Sequence, residues 1–294
     1  MKESTFFFPY ALESSPKQVQ KLHELARSGV RGLCRDPELI GEQDIDPDFG
    51  AVDAYKHLAP TIDTDRCMAW LMTLVRAKGA RFVTETIHGD LFGQEDELRE
   101  QFHADAIVNA SGLASGELAG DETVYPLRGA LIRVVNDGKA FPKVDKALAI
   151  AADATEDNEI VFIVPRNDDI LLLGGIAQKG EWELDLTLES PVIKRMRKRC
   201  EAFLPGLKNA RLDVEYPLAQ GLRPCRDRNV RVERELRRHG ARPSRIVHSY
   251  GHGGAGWSLS FGCAEEVAWL VEDALRGSEA VPMGFDSGLL RSRL

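Results

Sequence analysis

Cysteine is scarce: five in 294 residues, at Cys34, Cys67, Cys200, Cys225 and Cys263, odd in number and far apart. No CxxC and no Cys/His ligand spacing occurs, which argues against a disulfide framework and a zinc site and fits a reducing compartment. No apolar run approaches the ~20 residues that a membrane-spanning helix needs. The stretch Phe6–Phe8 is too short for the apolar region of a signal peptide. An excess of positive charge is missing as well. With 38 basic and 46 acidic residues the net charge is −8, whereas phosphate binding relies on clustered Lys and Arg. The one basic run, Lys194–Arg199, alternates with apolar positions and reads as the solvated face of a helix. No internal repeat and no low-complexity tract is found. Nucleic acid, membrane and metal are therefore not expected as partners.

What is present is an ordinary globular composition, 43% hydrophobic and 29% charged, enough for one large core or two modest ones. Ser15-Pro16 opens a helix through Val19, Leu22 and Leu25, stopped near Gly29. Residues 31–59 are rich in Asp, Gly and Pro and read as irregular connections. Thr64-Asp65 caps a helix carrying Met68, Leu71 and Val75, closed by Lys78-Gly79. A strand is predicted over Arg81–Ile87, and another over Asp105–Asn109 that ends in small residues, as in an α/β layer. From Tyr125 to Gln220 the texture changes. Runs 130–135, 159–164 and 170–174 suggest a sheet with antiparallel pairs, interrupted by one helix, Pro191–Phe203. A last strand, Arg245–Tyr250, leads through a glycine turn into a helix with apolar positions at Ala264, Val267, Ala268, Val271 and Leu275.

The turn Gly251-His252-Gly253-Gly254-Ala255-Gly256 satisfies G-x-G-x-x-G between a strand and a helix. A Rossmann unit also needs a second parallel strand after that helix, with an acidic residue near its end. Here the helix runs out at Gly277, and Glu272 and Asp273 still lie on it, so a first nucleotide half is excluded. Two readings of the turn stay open. Backbone N–H groups at a glycine-rich helix start can cradle an anion or cofactor, or the turn is simply tight. His248 and His252 straddle a strand end and a loop, which does not make a helical metal pair.

Taken together, Ile246–Gly256 with Gly262-Cys263-Ala264 downstream closely resembles the C-terminal signature of the D-amino-acid and D-aspartate oxidases. Gly221-Leu222-Arg223-Pro224-Cys225-Arg226 followed by Val230–Glu233 resembles that family's substrate-arginine segment. Leu173-Gly174-Gly175 with Trp182, and Val108–Gly112, match in order, and Pro126–Gly129 falls where the family has a turn entering the substrate sheet. The similarity runs from about Tyr55 to Arg276. Two features depart from the family pattern. Phe162 stands where a tyrosine is usual, which keeps an aromatic wall and loses a hydroxyl worth about 1.5–3 kcal/mol of binding to a charged group, and a second tyrosine position falls near Asn158. The family's own N-terminal fingerprint, with the acidic residue after it, has no counterpart in Met1–Tyr55.

The resemblance implies an α/β (α+β) fold: an incomplete FAD-binding Rossmann-like layer interleaved with a substrate domain on a mixed, largely antiparallel sheet. Residues 1–55 would be a helix plus irregular connections, 56–124 and 223–278 FAD-binding portions, 125–222 the substrate domain, and 279–294 a tail. It implies non-covalent FAD and oxidative deamination of a D-amino acid, by hydride transfer from Cα to flavin N5, to a 2-oxo acid, ammonia and hydrogen peroxide. Arg223 would grip the substrate carboxylate bidentately, the Gly254 carbonyl would accept from the substrate amine, and Phe162 would wall the site. Gly253, Gly254, Ala255, Gly256, Trp257 and Ser258 would line the flavin, with Thr86, Ile87 and Ser111 at the adenosine end. Arg166, Gln178 and Lys179 are unranked candidates for contact with a polar substrate side chain. Two other readings stand beside this one: a family remnant that binds no flavin, and a related FAD amine oxidase of the glycine or sarcosine type. The ending Ser292-Arg293-Leu294 is a near relative of the peroxisomal Ser-Lys-Leu address, so the expected location is the peroxisome, with the cytoplasm as the alternative. Expected partners are a D-amino acid, oxygen and the import receptor, with a second copy of the chain as a candidate.

Overall fold

The computed structural model describes residues 1–150 and 160–282; Asn158 and the tripeptide Ser292, Arg293 and Leu294 lie outside the described residues. In chain order the first half holds β1 (Lys2–Phe8), α1 (Pro16–Arg27), β2 (Cys34–Arg35), β3 (Asp53–Ala59), α2 (Thr64–Ala77), α3 (Glu95–Phe102), β4 (Ile107–Asn109), α4 (Ser115–Leu118), β5 (Val124–Val135) and β6 (Ala147–Ile150). The second half holds β7 (Val161–Pro165), β8 (Ile170–Gly174), β9 (Gln178–Lys179), α5 (Pro191–Phe203), β10 (Leu218–Arg226), β11 (Arg231–Arg234), β12 (Arg238–His239), β13 (Arg242–Pro243), β14 (Ile246–Tyr250) and α6 (Gly256–Leu275). The fold is mixed α/β. Contacts divide it into two units, residues 1–83, 128–178 and 183–221, and residues 84–127, 179–182 and 222 onward.

The first unit is built on a large mixed sheet with strand order β10-β5-β8-β7-β6-β1-β3-β2. Its pairs are antiparallel at β1–β3, β2–β3, β5–β8, β6–β7 and β7–β8, and parallel at β1–β6. Helix α5 forms because Pro191 suits the first helical position and apolar residues recur at helical spacing. Its Ile193, Met196, Cys200 and Phe203 are buried. They share a core with Phe7, Ile132, Ile163, Leu171 and Leu173, and each such side chain contributes roughly 1.5–3 kcal/mol through burial. Phe203 meets Phe7 and Phe49 edge-on, with ring centroids 5.4 and 5.1 Å apart. Gly174 faces Leu131 across the β5–β8 ladder, where a Cβ would stand only 2.2 Å from Leu131 Cδ2.

The second unit contains a three-stranded sheet, β11-β14-β4. Here β14 is antiparallel to β11 and parallel to β4. Its apolar cluster is small, Leu91, Leu98, Leu118 and Ile246, and much of its interior is polar. Glu95, fully buried on α3, accepts from Ser244 Oγ at 2.7 Å and the Arg245 N–H at 2.8 Å, and lies 3.1 Å from His239 Nε2. Helix α6 packs on β14 and β11 and leaves Leu259, Phe261 and Trp269 exposed.

Several expectations need correction. Residues 1–55 are more than a helix and connections, because β1 is an interior strand of the large sheet. Covered on both faces, it buries Ser4 and Thr5 with Phe7 and Phe8, so the period-2 signal of a half-exposed strand is absent. The irregular reading of 31–59 likewise missed β3. Arg81–Ile87 is not a strand. A strand exists only by pairing, none of the described strands pairs with this stretch, and Phe82 and Val83 are exposed. Pro126–Gly129 is no turn but the interior of β5. The α2 cap is Asp63, whose carboxylate accepts from the Arg66 N–H at 3.3 Å. Residues 56–83 group with the first unit and not with residues 84–124.

Candidate active site

In the second unit β4 and β14 run parallel and end side by side, with His248 in register with Asn109. The carboxyl ends of parallel strands are where open α/β sheets bind ligands. Each strand here leads into small residues, Ala110-Ser111-Gly112 and Gly251–Gly256. Gly112, Gly251 and Gly253 take φ of 62°, 84° and 54°, left-handed conformations that glycine adopts without penalty. Asn109 ties the first turn down, accepting from Ser111 N at 3.2 Å, Ser111 Oγ at 2.7 Å and Ser115 Oγ at 3.3 Å. Its carboxamide nitrogen is 3.3 Å from His248 Nδ1, and His248 Nε2 is 3.3 Å from Glu235 Oε2. An amide nitrogen only donates, so Nδ1 accepts, Nε2–H donates to Glu235, and the imidazole is neutral. Burial lowers the His248 pKa. Burial alone would raise Glu235, but hydrogen bonds from His248 and Arg237 hold its carboxyl far below the usual range.

The end of β10 lies directly on these turns. A Cβ placed on Gly254 would stand 3.4 Å from Arg223 Cδ, and one on Gly112 would stand 3.4 Å from Pro224 Cβ. One on Gly253 would come within 3.0 Å of Cys225 Sγ, and one on Gly251 within 3.0 Å of Arg226 Cβ. Four consecutive β10 residues thus each lie against a glycine; the 3.0 Å approaches at Gly251 and Gly253, with the positive φ there and at Gly112, call for glycine, while a Cβ on Gly254 would meet Arg223 at ordinary contact distance. Arg223 and Gly254 are brought together. Burial pushes the Arg223 guanidinium below its ordinary pKa, with Cys225 acting in the opposite direction. A carboxylate beside a half-buried guanidinium would offset its burial and match its planar fork.

Ala255 closes the turn, its N–H donating to the His252 carbonyl at 3.0 Å. Gly256, Trp257 and Ser258 open α6, which has no side-chain cap. Ser111 is exposed on the neighbouring turn; Thr86 is exposed and Ile87 half-buried, both outside regular structure. Phe162 belongs to the first unit, on β7, 36% exposed and on the face away from buried Val161 and Ile163. The unranked candidates all have partners. Arg166 donates to Thr64 Oγ1, Gln178 accepts from Arg128 Nε at 3.0 Å, and Lys179 is 2.8 Å from Asp227. Sequence reasoning gave no role to Asp121, Glu235 or Tyr250, although Asp121-Glu122-Thr123 has the spacing of a side-chain-to-backbone turn.

The protein-family profile described as FAD dependent oxidoreductase matches residues 3–270. The chain is 34% identical over 251 residues to the D-amino-acid oxidase of Rubrobacter xylanophilus, covering 85% of this chain and 67% of that protein. It is 35% identical over 267 residues to the D-amino-acid oxidase of Streptomyces coelicolor, covering 84% and 74%. Among solved structures, glycine oxidase from Geobacillus kaustophilus superposes with a TM-score of 0.66 at 18% identity, over 96% of this chain and 73% of that one, a likeness of fold. The chain belongs to the FAD-dependent oxidoreductase family that includes the D-amino-acid oxidases, an enzyme family whose cofactor is FAD.

Proposed function

We propose that this chain oxidises a D-amino acid, with Arg223 holding the substrate carboxylate and the Gly254 carbonyl accepting from its amine. The observation that carries the reading is the contact between Arg223 and Gly254, whose Cβ position lies 3.4 Å from Arg223 Cδ. Two anchors on one amino acid fix the Cα–H direction, and orientation of that kind is the protein's main contribution to cofactor chemistry.

The residues present fit a flavin. Gly253 has no Cβ and a φ of 54°, the α6 start has N–H groups without a side-chain cap, and both adjoin the ends of two parallel strands. Gly253–Ser258 and Ser111 would hold the cofactor, which when bound accepts the substrate hydride. The relatives named D-amino-acid oxidase, at 34 and 35% identity, support the D-amino-acid reading over the glycine-oxidase one, whose 18% identity speaks for the fold. In this reading Arg223, Gly254 and the residues that would line the flavin all belong to the second unit.

The test is to purify the chain, measure its flavin absorbance, and follow peroxide formation with D-alanine, L-alanine, D-aspartate and glycine. Flavin released by denaturation and peroxide from a D-isomer alone are expected. Equal turnover of L-alanine, or glycine as the best substrate, would refute the reading.

A further inference from the structure

Arg223 can act only where the end of β10 holds it, and one carboxylate fastens that end. Asp121 is buried on the turn before β5. Its Oδ1 accepts from Thr123 N at 3.1 Å and Thr123 Oγ1 at 2.5 Å. Its Oδ2 accepts from Arg226 Nε at 2.7 Å and from Tyr250 Oη at 2.9 Å. A single oxygen therefore joins the last residue of β10 to the last residue of β14. Arg226 lies under Gly251 and also donates to the Asn229 carbonyl at 2.9 Å. The Tyr250 hydroxyl in turn accepts from Arg231 at 2.7 Å, and the Asp227 N–H donates to the Thr123 carbonyl at 2.9 Å.

We infer that Asp121 is a positioning residue: by holding Arg226 and Tyr250 on one oxygen it sets the end of β10 against the glycine turn and so places the Arg223 fork beside Gly254. Cys225 Sγ and Arg226 Cβ stand 3.0 Å from where a Cβ on Gly253 and Gly251 would be, so the strand end lies against the turn where only glycine gives it room. A shift of the strand end moves Arg223 with it. The inference rests on the reading of Arg223 as the carboxylate anchor.

The experiment uses the full chain and three variants, Asp121→Ala, Asp121→Asn and Thr123→Val. The side-chain Nε–H resonance of Arg223 is recorded alone and during titration with propionate, a carboxylate without an amine. Kinetics on D-alanine and thermal melting run alongside. Asp121→Ala is expected to displace the free Arg223 resonance, weaken propionate at least tenfold, and raise KM similarly with kcat within about threefold. Asp121→Asn keeps an acceptor oxygen without the charge and should fall between, at threefold or more. Thr123→Val spares the bridging oxygen and should stay within twofold on every ligand readout. A folded Asp121→Ala protein with an unmoved resonance and unchanged binding would overturn the inference, whatever its melting temperature. If Asp121→Ala does not fold, unchanged binding and an unmoved resonance in Asp121→Asn overturn it. Should propionate leave the wild-type Arg223 resonance untouched, the carboxylate reading fails. The free resonance across the variants then still decides whether Asp121 positions Arg223.

Discussion

The two units are held by different forces. In the first, Phe7, Ile132, Ile163, Leu171, Met196 and Phe203 form part of one extended apolar core. In the second, four buried apolar residues cluster beside buried Glu95, Asn109, Asp121, Arg234, Glu235 and His248. Apolar burial is non-directional and tolerates small shifts, whereas a buried hydrogen-bonded charge works only in one geometry. The unit whose strand ends carry the glycine turns has the smaller apolar cluster and the larger share of buried, hydrogen-bonded charge. A substrate anchor needs that kind of support, because a displacement of about 1 Å can cost a large factor in rate.

The contrast can be broken by mutation. The largest effect is expected for Phe203→Ala, which removes an aromatic ring packed on Phe7 and Phe49 and should cost about 3–5 kcal/mol of stability in chemical denaturation. A loss under about 1 kcal/mol would show that the first core is loosely packed. Glu95→Ala should cost less, about 2–3 kcal/mol, by leaving the Ser244 hydroxyl and the Arg245 N–H without their acceptor. Hydrogen exchange should place that loss in β14 and β4. Equal deprotection of β7 and β8 would contradict the division.

Acid should separate the two units by a smaller effect. His248, Glu235 and Asp121 all have folded pKa values below their ordinary ones. For Asp121 burial opposes the shift, but hydrogen bonds from Thr123, Tyr250 and Arg226 bring it to about 2. Groups lowered in this way bind fewer protons folded than unfolded. Their stabilisation is fully present above the ordinary values, near 6.5 for His and 4 for the acids, and is lost as pH falls through the lowered ones. Amide protection in β14 should therefore decline between about pH 6 and pH 2 before that in β7 and β8, whose segments Val161–Pro165 and Ile170–Gly174 contain no ionisable side chain. Simultaneous loss in both would refute it.

Much of this was legible in the sequence where the physics is local. Helix α5 follows from Pro191 and the spacing of Ile193, Met196, Cys200 and Phe203, and the strand–turn–helix at Ile246–Leu275 follows from glycines bracketed by apolar runs. The motifs around Arg223 and Gly254 assign both to one expected site, and the structure brings the two side by side. What was hidden depends on distant partners. β1 loses its alternation because neighbours cover both of its faces, and Phe82 and Val83 have strand-forming side chains but pair with none of the described strands. Asp121 is separated in sequence from Arg226 and Tyr250 by 105 and 129 residues, so nothing near it announces its role.

The role of Arg223 as carboxylate anchor is tested by comparing Arg223→Lys and Arg223→Ala with the wild-type chain, at matched flavin content, in steady-state kinetics on D-alanine. KM is expected to rise by at least a hundredfold in the Ala variant and Lys to recover little of it, because an ammonium cannot reproduce the guanidinium fork. Unchanged KM in a fully flavinated Arg223→Ala protein would contradict it.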